Sequence, residues 1–121
     1  MGKDTVVTRR EDYLHIEFTG EFSVVAANRT IDLMLSACAE HQCSRVLMDC
    51  RKMTGHMPLI GRFEVAIYAG TAIGPGPRIA LLGRSDQVLP ANYFVENVAR
   101  LRGVDVREFF NEEEALEWLT T

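Results

Sequence analysis

Ser44-Arg45-Val46-Leu47-Met48-Asp49-Cys50 is a short polar lead into an unbroken apolar run closed by an acid. A run of this kind, without alternation, marks a strand covered on both faces, which is an inner strand of a parallel sheet. Parallel neighbours require crossovers, so helices are expected on either side of it. The flanking sequence supplies them. Upstream, Val24, Ala27, Ile31, Met34, Leu35 and Cys38 recur at helical spacing, with Asn28, Arg29, Asp32 and Glu40 on the other side. Ser23 stands where an N-cap belongs. Further back, Tyr13 to Phe18 alternates apolar and polar, and Thr5 to Thr8 is β-branched. With Glu11-Asp12 as a turn, the two make an opening hairpin.

Downstream, Lys52 to Gly61 holds Gly55, Pro58 and Gly61 without a steady period and reads as a loop, with a helix starting near Pro58. Phe63, Ala66, Ile67 and Gly70 mark the second helix, and Gly74-Pro75-Gly76-Pro77 must be an exposed connection. Arg78 to Gly83 is another short buried strand. Ser85 to Pro90 is a loop, and Phe94, Val95, Val98 and Leu101 form the buried stripe of a third helix. Gly103 follows at the position of a left-handed cap. Val104 to Phe110 is the last strand. Asn111-Glu112-Glu113-Glu114 resembles a capping box, with its acids on the positive end of a helix dipole. Ala115, Leu116 and Leu119 dock that helix and Trp118 anchors a flank. The order β-β-α-β-α-β-α-β-α predicts an α/β fold with a mixed, mostly parallel sheet of about five strands. An N-terminal antiparallel hairpin forms one side and about four helices pack the sheet.

The chain of 121 residues fits one domain, residues 1–121, and its 47% hydrophobic and 25% charged composition is ordinary for a globular protein. A net charge of −4 argues against a nucleic-acid surface. Three cysteines, Cys38, Cys43 and Cys50, without CxxC spacing do not make a disulfide framework and are expected to be reduced. The N-terminal residues lack the apolar core of an export signal, and no apolar stretch reaches the roughly 20 residues of a spanning helix. A soluble, cytoplasmic protein without a transmembrane segment is the expectation.

Several stretches taken in order resemble a known family. They are Val46-Leu47-Met48-Asp49, then Asp49 to His56, Arg78-Ile79-Ala80-Leu81-Leu82, Phe94 to Ala99, and Val106 to Phe110 followed by Glu114 to Leu119. Together with the opening hairpin they look like the STAS domain of anti-sigma factor antagonists, and still more like the SpoIIAA-like (STAS/SEC14-type) bacterial proteins. The resemblance covers nearly the whole chain. It implies the SpoIIAA-like fold and a non-enzymatic role, through protein partners in STAS domains and through lipids in SEC14-type relatives. Antagonist STAS domains carry an Asp-Ser-Ser-Gly segment with a phosphorylated serine after the central strand. Here that region reads Gly55-His56-Met57-Pro58-Leu59-Ile60-Gly61, with Thr54 the nearest hydroxyl, so the phosphoserine switch does not carry over.

Ligands of open α/β sheets bind beyond the carboxyl ends of parallel strands. The candidate binding residues there are Asp49, Arg51, Lys52, Thr54, His56, Met57, Arg62 and Arg84, with Ser85 and Asp86 beside them. Cationic groups near backbone amides suit an anion. The plainer reading is that Asp49 caps local backbone and the basic groups are solvated. Met53, Met57, Leu59 and Ile60 make the same segment either an adaptable surface or a lid folded onto the second helix. Cys38, His41 and Cys43 lack a fourth ligand for a metal. Cys50 with His56 lacks an orienting acid, and Gly74-Pro75-Gly76-Pro77 precedes a strand, whereas phosphate loops follow one. No catalytic residue, cofactor or metal is expected. The leading expectation is docking of a protein partner, or self-association, through residues 49–62. The alternative is a pocket for a lipid or small anionic amphiphile.

Overall fold

In the computed structural model, which describes residues 5–55, 57–84 and 90–121 (backbone alone for 90–95), the Asp49 run is the middle strand of a five-stranded sheet. The chain runs β1 (Thr5–Arg9), β2 (Leu14–Glu21), α1 (Val24–His41), β3 (Arg45–Thr54), α2 (Leu59–Ala72), β4 (Arg78–Leu82), α3 (Pro90–Leu101), β5 (Asp105–Phe109) and α4 (Glu112–Leu119). The strands lie in sequence order, β1 antiparallel to β2 and every later pair parallel. This is the α/β architecture expected from the order of elements.

The period of two sorts side chains between two cores. Leu14, Ile16 and Phe18 of β2, Val46 and Met48 of β3 and Ile79 of β4 face α1, α2 and α3 in the larger one. Leu47 of β3 and Ala80 and Leu82 of β4 face the opposite way, onto Ala115 and Leu119 of α4. Trp118 closes the flank of this smaller core: its ring lies 5.6 Å from that of Phe109, with the Arg78 guanidinium 4.0 Å above it.

Three local predictions change. First, β3 continues to Thr54, so Lys52, Met53 and Thr54 belong to the strand and not to a loop. Glu17 pairs with Asp49 but Thr19 pairs with Lys52, so β3 carries one extra residue opposite Phe18. Such a bulge resets the alternation, and Met53 rather than Lys52 then faces the larger core. Second, Leu101 is 87% exposed; Glu96 and Ala99 are buried among the α3 residues whose side chains are described, and Phe94 and Val95 lie outside these. The chain turns back there through Gly103 (φ 93°), and Val104 N–H bonds to Ala99 O (3.1 Å), so Val104 covers the helix end in place of Leu101. Third, Phe63 is exposed, and α2 is buried through Gly61, Ala66 and Ala69.

Local hydrogen bonds fix the helix ends. Ser23 Oγ accepts from Ala26 N (3.0 Å), as its position before α1 predicts. Gln42, left-handed at φ 51°, ends α1, with Gln42 N bonded to Ala39 O and Cys43 N to Cys38 O. In that arrangement the residues at 38 and 43 pack on each other, which explains two nearby cysteines without a metal. Asn111 Oδ1 accepts from Glu114 N (3.0 Å) at the start of α4. Asn111→Ala is expected to lower stability by about 1 kcal/mol in urea unfolding, whereas Asn111→Ser keeps the acceptor and most of the stability. Equal stability of the alanine variant and the wild type would remove the cap from this account.

Candidate functional site

Asp49 shares a face with Leu47 and therefore points toward α4, away from the larger core. It is 1% exposed. His15 is on the same face of β2, and its Nε2 donates to Asp49 Oδ2 (3.0 Å). Arg51 folds back on the acid: its backbone N (3.2 Å) and Nε (2.9 Å) donate to Oδ1, and its Nη2 donates to Oδ2 (2.8 Å). The same Nη2 reaches Glu112 Oε1 on α4 (3.0 Å). Burial alone would raise the Asp49 pKa. Hydrogen bonds from Arg51 and His15, with the Arg51 charge, outweigh it and hold the carboxyl at about 2. Lys52 Nζ donates to Glu17 Oε1 (3.2 Å) at the surface. Asp49, Arg51 and Lys52 thus spend their charge on one another and on their neighbours, tying β2, β3 and α4 together.

On the other face, beyond the carboxyl ends of β3, β4 and β5, a cleft of about 180 Å³ opens. It is lined by Phe22, Ala27, Cys50, Val65 and Leu81 and by the polar or flexible Met57, Arg62, Arg84 and Glu108. Both arginines are set by the chain around them. Arg62 Nε donates to Met57 O (2.9 Å), and Arg84 Nη1 donates to Met53 O (2.9 Å). Met57 lies over Gly61, where an added Cβ would come within 2.9 Å of Met57 Cγ, so only glycine admits this seating. A second cavity of about 150 Å³ is lined by Met48, Ala66, Ile79 and Glu96 among others. The two share Phe22, Ala27, Cys50, Val65 and Leu81 in their walls.

Glu108 is the titratable group of this site. Burial first, and the charge of Glu96 second, push its carboxyl up to about 7, with Arg62 opposing. Glu96 Oε1 accepts from Glu108 N (2.6 Å), and its Oε2 lies 3.5 Å from Arg100 Nη1. The Cys50 thiol is pushed up to about 12 by burial, then by Asp49 and Glu108. It stays protonated and is a poor nucleophile. Among the described residues no cluster of three His, Cys, Asp or Glu is placed to hold a metal ion.

The sheet therefore divides the predicted residues. Asp49, Arg51 and Lys52 lie on the α4 face, and Met57, Arg62 and Arg84 ring the cleft on the other. Thr54 is exposed at the end of β3, its Oγ1 donating to Gly20 O (3.3 Å). His56, Ser85 and Asp86 lie outside the described residues. Of the methionine segment, Met53 is buried in the core as part of β3, while Leu59 and Ile60 stand out at the start of α2. Glu108 was missed. It shares strand parity with buried Val106, and an acid at an inward position of a strand is the signal that marks it.

No protein-family model and no curated protein matches the chain. Solved structures do match, two of them as follows. An uncharacterized protein of the DUF3478 family with a SpoIIAA-like fold, from Shewanella loihica PV-4, superposes with a TM-score of 0.54 at 18% identity, over 95% of this chain and 91% of that one. An anti-sigma factor antagonist from Mycobacterium paratuberculosis gives 0.63 at 14% identity, over 97% and 93%. The fold is SpoIIAA-like.

Proposed function

We propose that this SpoIIAA-like chain is a non-enzymatic binding and regulatory domain that docks a protein partner through the first turn of α2. One observation carries the reading: Leu59, Ile60 and Phe63 are 54%, 73% and 41% exposed on adjoining positions of one helical turn. Large side chains grouped in water, with Arg62 and Glu64 beside them, have the composition of an interface core with a polar rim. The likeness to an anti-sigma factor antagonist is consistent with this role. Residues 54–61 offer one hydroxyl, Thr54, so the interaction is read as constitutive rather than switched by a phosphoserine. A cytoplasmic setting belongs to the same reading, as does the absence of nucleic acid among the partners. No helix among the described residues is long and apolar enough to cross a membrane.

A photoreactive phenylalanine analogue in place of Ile60, and separately of exposed Glu113 on α4, tests the surface in living cells. Position 60 is expected to yield one discrete adduct and position 113 none, and the adduct's mass separates a second copy of this chain from a different protein. Ile60→Asp should abolish the adduct formed from a probe at position 59 while leaving stability within about 0.5 kcal/mol. The same adducts from positions 60 and 113 would refute the assignment.

A further inference from the structure

We propose that β1 pairs antiparallel with β1 of a second copy of this chain, about a two-fold axis at Val7, joining the two sheets edge to edge. The surface is separate from the first turn of α2 and does not depend on it. The two edges of the sheet differ. At β5, Glu96 of α3 reaches over and its Oε1 accepts from Glu108 N (2.6 Å), so a side chain already occupies that edge. At β1 no further strand follows among the described residues. The helix α1 packs on β2 and β3, and α4 packs on β3, β4 and β5, so β1 projects past both helical layers. Val6 and Val7 are 55% and 36% exposed there. A β-branched edge without proline, whose one charge is Arg9 at its end, lacks the devices that keep edges apart.

The register follows from the hairpin. Arg10 N donates to Tyr13 O (2.9 Å), and every β1–β2 pair keeps the same register. In an antiparallel ladder alternate residues turn their N–H and C=O to the same neighbour. Arg10, Thr8 and Val6 therefore face β2, and Thr5, Val7 and Arg9 turn their backbone groups to the open edge. An axis at Val7 sets it against Val7 of the second copy and sets Thr5 against the second copy's Arg9. All the outward residues of β1 then fall in hydrogen-bonded pairs. Charge selects the same axis, since by sequence it opposes Asp4 to Arg10 and Lys3 to Glu11. An axis at Val6 would oppose Lys3 to Arg9, one at Thr8 would oppose Asp4 to Asp12, and one at Arg9 would oppose the two arginines. An axis at Thr5 leaves Val7 and Arg9 without partners in β1.

The helices leave room for this. The axis is perpendicular to the joined sheet, so α1 of each copy lies on the same side, with both β1 strands between them. Strands about 4.8 Å apart put the two β2 strands roughly 14 Å from each other, wider than the about 8–10 Å of packed helices.

Sedimentation equilibrium of the full chain from about 10 μM to about 1 mM, the range suited to so small an interface, should show reversible exchange between monomer and dimer. Val7→Lys puts like charges on the axis, and Val7→Pro removes an outward N–H but no β1–β2 bond; each should weaken the dimer at least about tenfold. An unchanged cooperative thermal transition shows that each variant is folded. Arg10→Asp should weaken the dimer about threefold, and adding Asp4→Arg should restore it. In amide exchange followed by NMR, Val7 and Arg9 should gain protection as concentration rises, while Val6 and Thr8 keep theirs. A monomer throughout, an undiminished dimer in folded Val7→Lys or Val7→Pro, or new protection confined to elements other than β1 would each overturn the proposal. So would a dimer lost in Ile60→Asp and retained in Val7→Lys, which would move self-association to α2. Failure of Asp4→Arg to rescue Arg10→Asp would overturn the axis at Val7.

Discussion

Asp49→Ala is expected to cost about 3 kcal/mol of unfolding free energy at pH 7. Removing one member of a buried pair leaves the other desolvated and unpaired, at about 3–5 kcal/mol. The Arg51 side chain is 41% exposed and keeps its bond to Glu112, so it recovers part of that, which places the value at the lower end. His15 loses its acceptor as well. The pH dependence gives an independent check. The Asp49 pKa falls from 3.8 to about 2 on folding, so the pair's contribution is complete above about pH 4 and is lost as pH falls through 2. Urea unfolding of the wild type should show that acid loss, and Asp49→Ala should flatten it. Asp49→Asn keeps the shape but gives up one acceptor oxygen and the charge, and should fall between the two. An alanine variant as stable as the wild type would sink the structural assignment and return Asp49 to the candidates for ligand contact.

That outcome matters because the sequence places Asp49 and Arg84 at one edge of the sheet without saying which face each serves. In Val46-Leu47-Met48 both faces of the strand are apolar, so the period of two leaves no mark to count from. Only the partner strand anchors the parity, by setting His15 and Glu17 opposite Leu14 and Ile16. The extra residue in β3 then hides the strand's last turn of alternation, and Lys52 to Thr54 looks like loop for that reason. Signals confined to a few residues were legible. Ser23 and Asn111 cap helices through side-chain bonds to residues three ahead, and Gly103 takes the left-handed turn its position demands. The parallel pairing followed from the crossover rules, since α1, α2 and α3 each connect parallel neighbours. The cleft was not legible, because its walls come from α1, α2, β3, β4 and β5 together.

The second large effect has the opposite sign in pH. Raising the pH from 4.5 to 7 is expected to cost the protein up to about 3 kcal/mol through Glu108 alone, because folding raises its pKa from 4.5 to about 7. The folded state holds the proton more tightly than the unfolded chain does. Glu108 therefore burdens the fold least below pH 4.5, and the burden grows as pH rises, levelling off above about 7. Glu108→Gln keeps a neutral side chain of the same shape and should remove that slope, leaving the variant more stable than the wild type at pH 8 and about equal at pH 4.5. Urea unfolding at half-unit steps from pH 4.5 to 8 measures both. A wild-type slope unchanged in Glu108→Gln would assign the effect to another group. Asp49, which favours the fold above about pH 4, and Glu108, which favours it at low pH, thus oppose each other. A carboxyl kept buried at such a cost at neutral pH, on the rim of an apolar cleft, is a group whose burial stability alone does not explain.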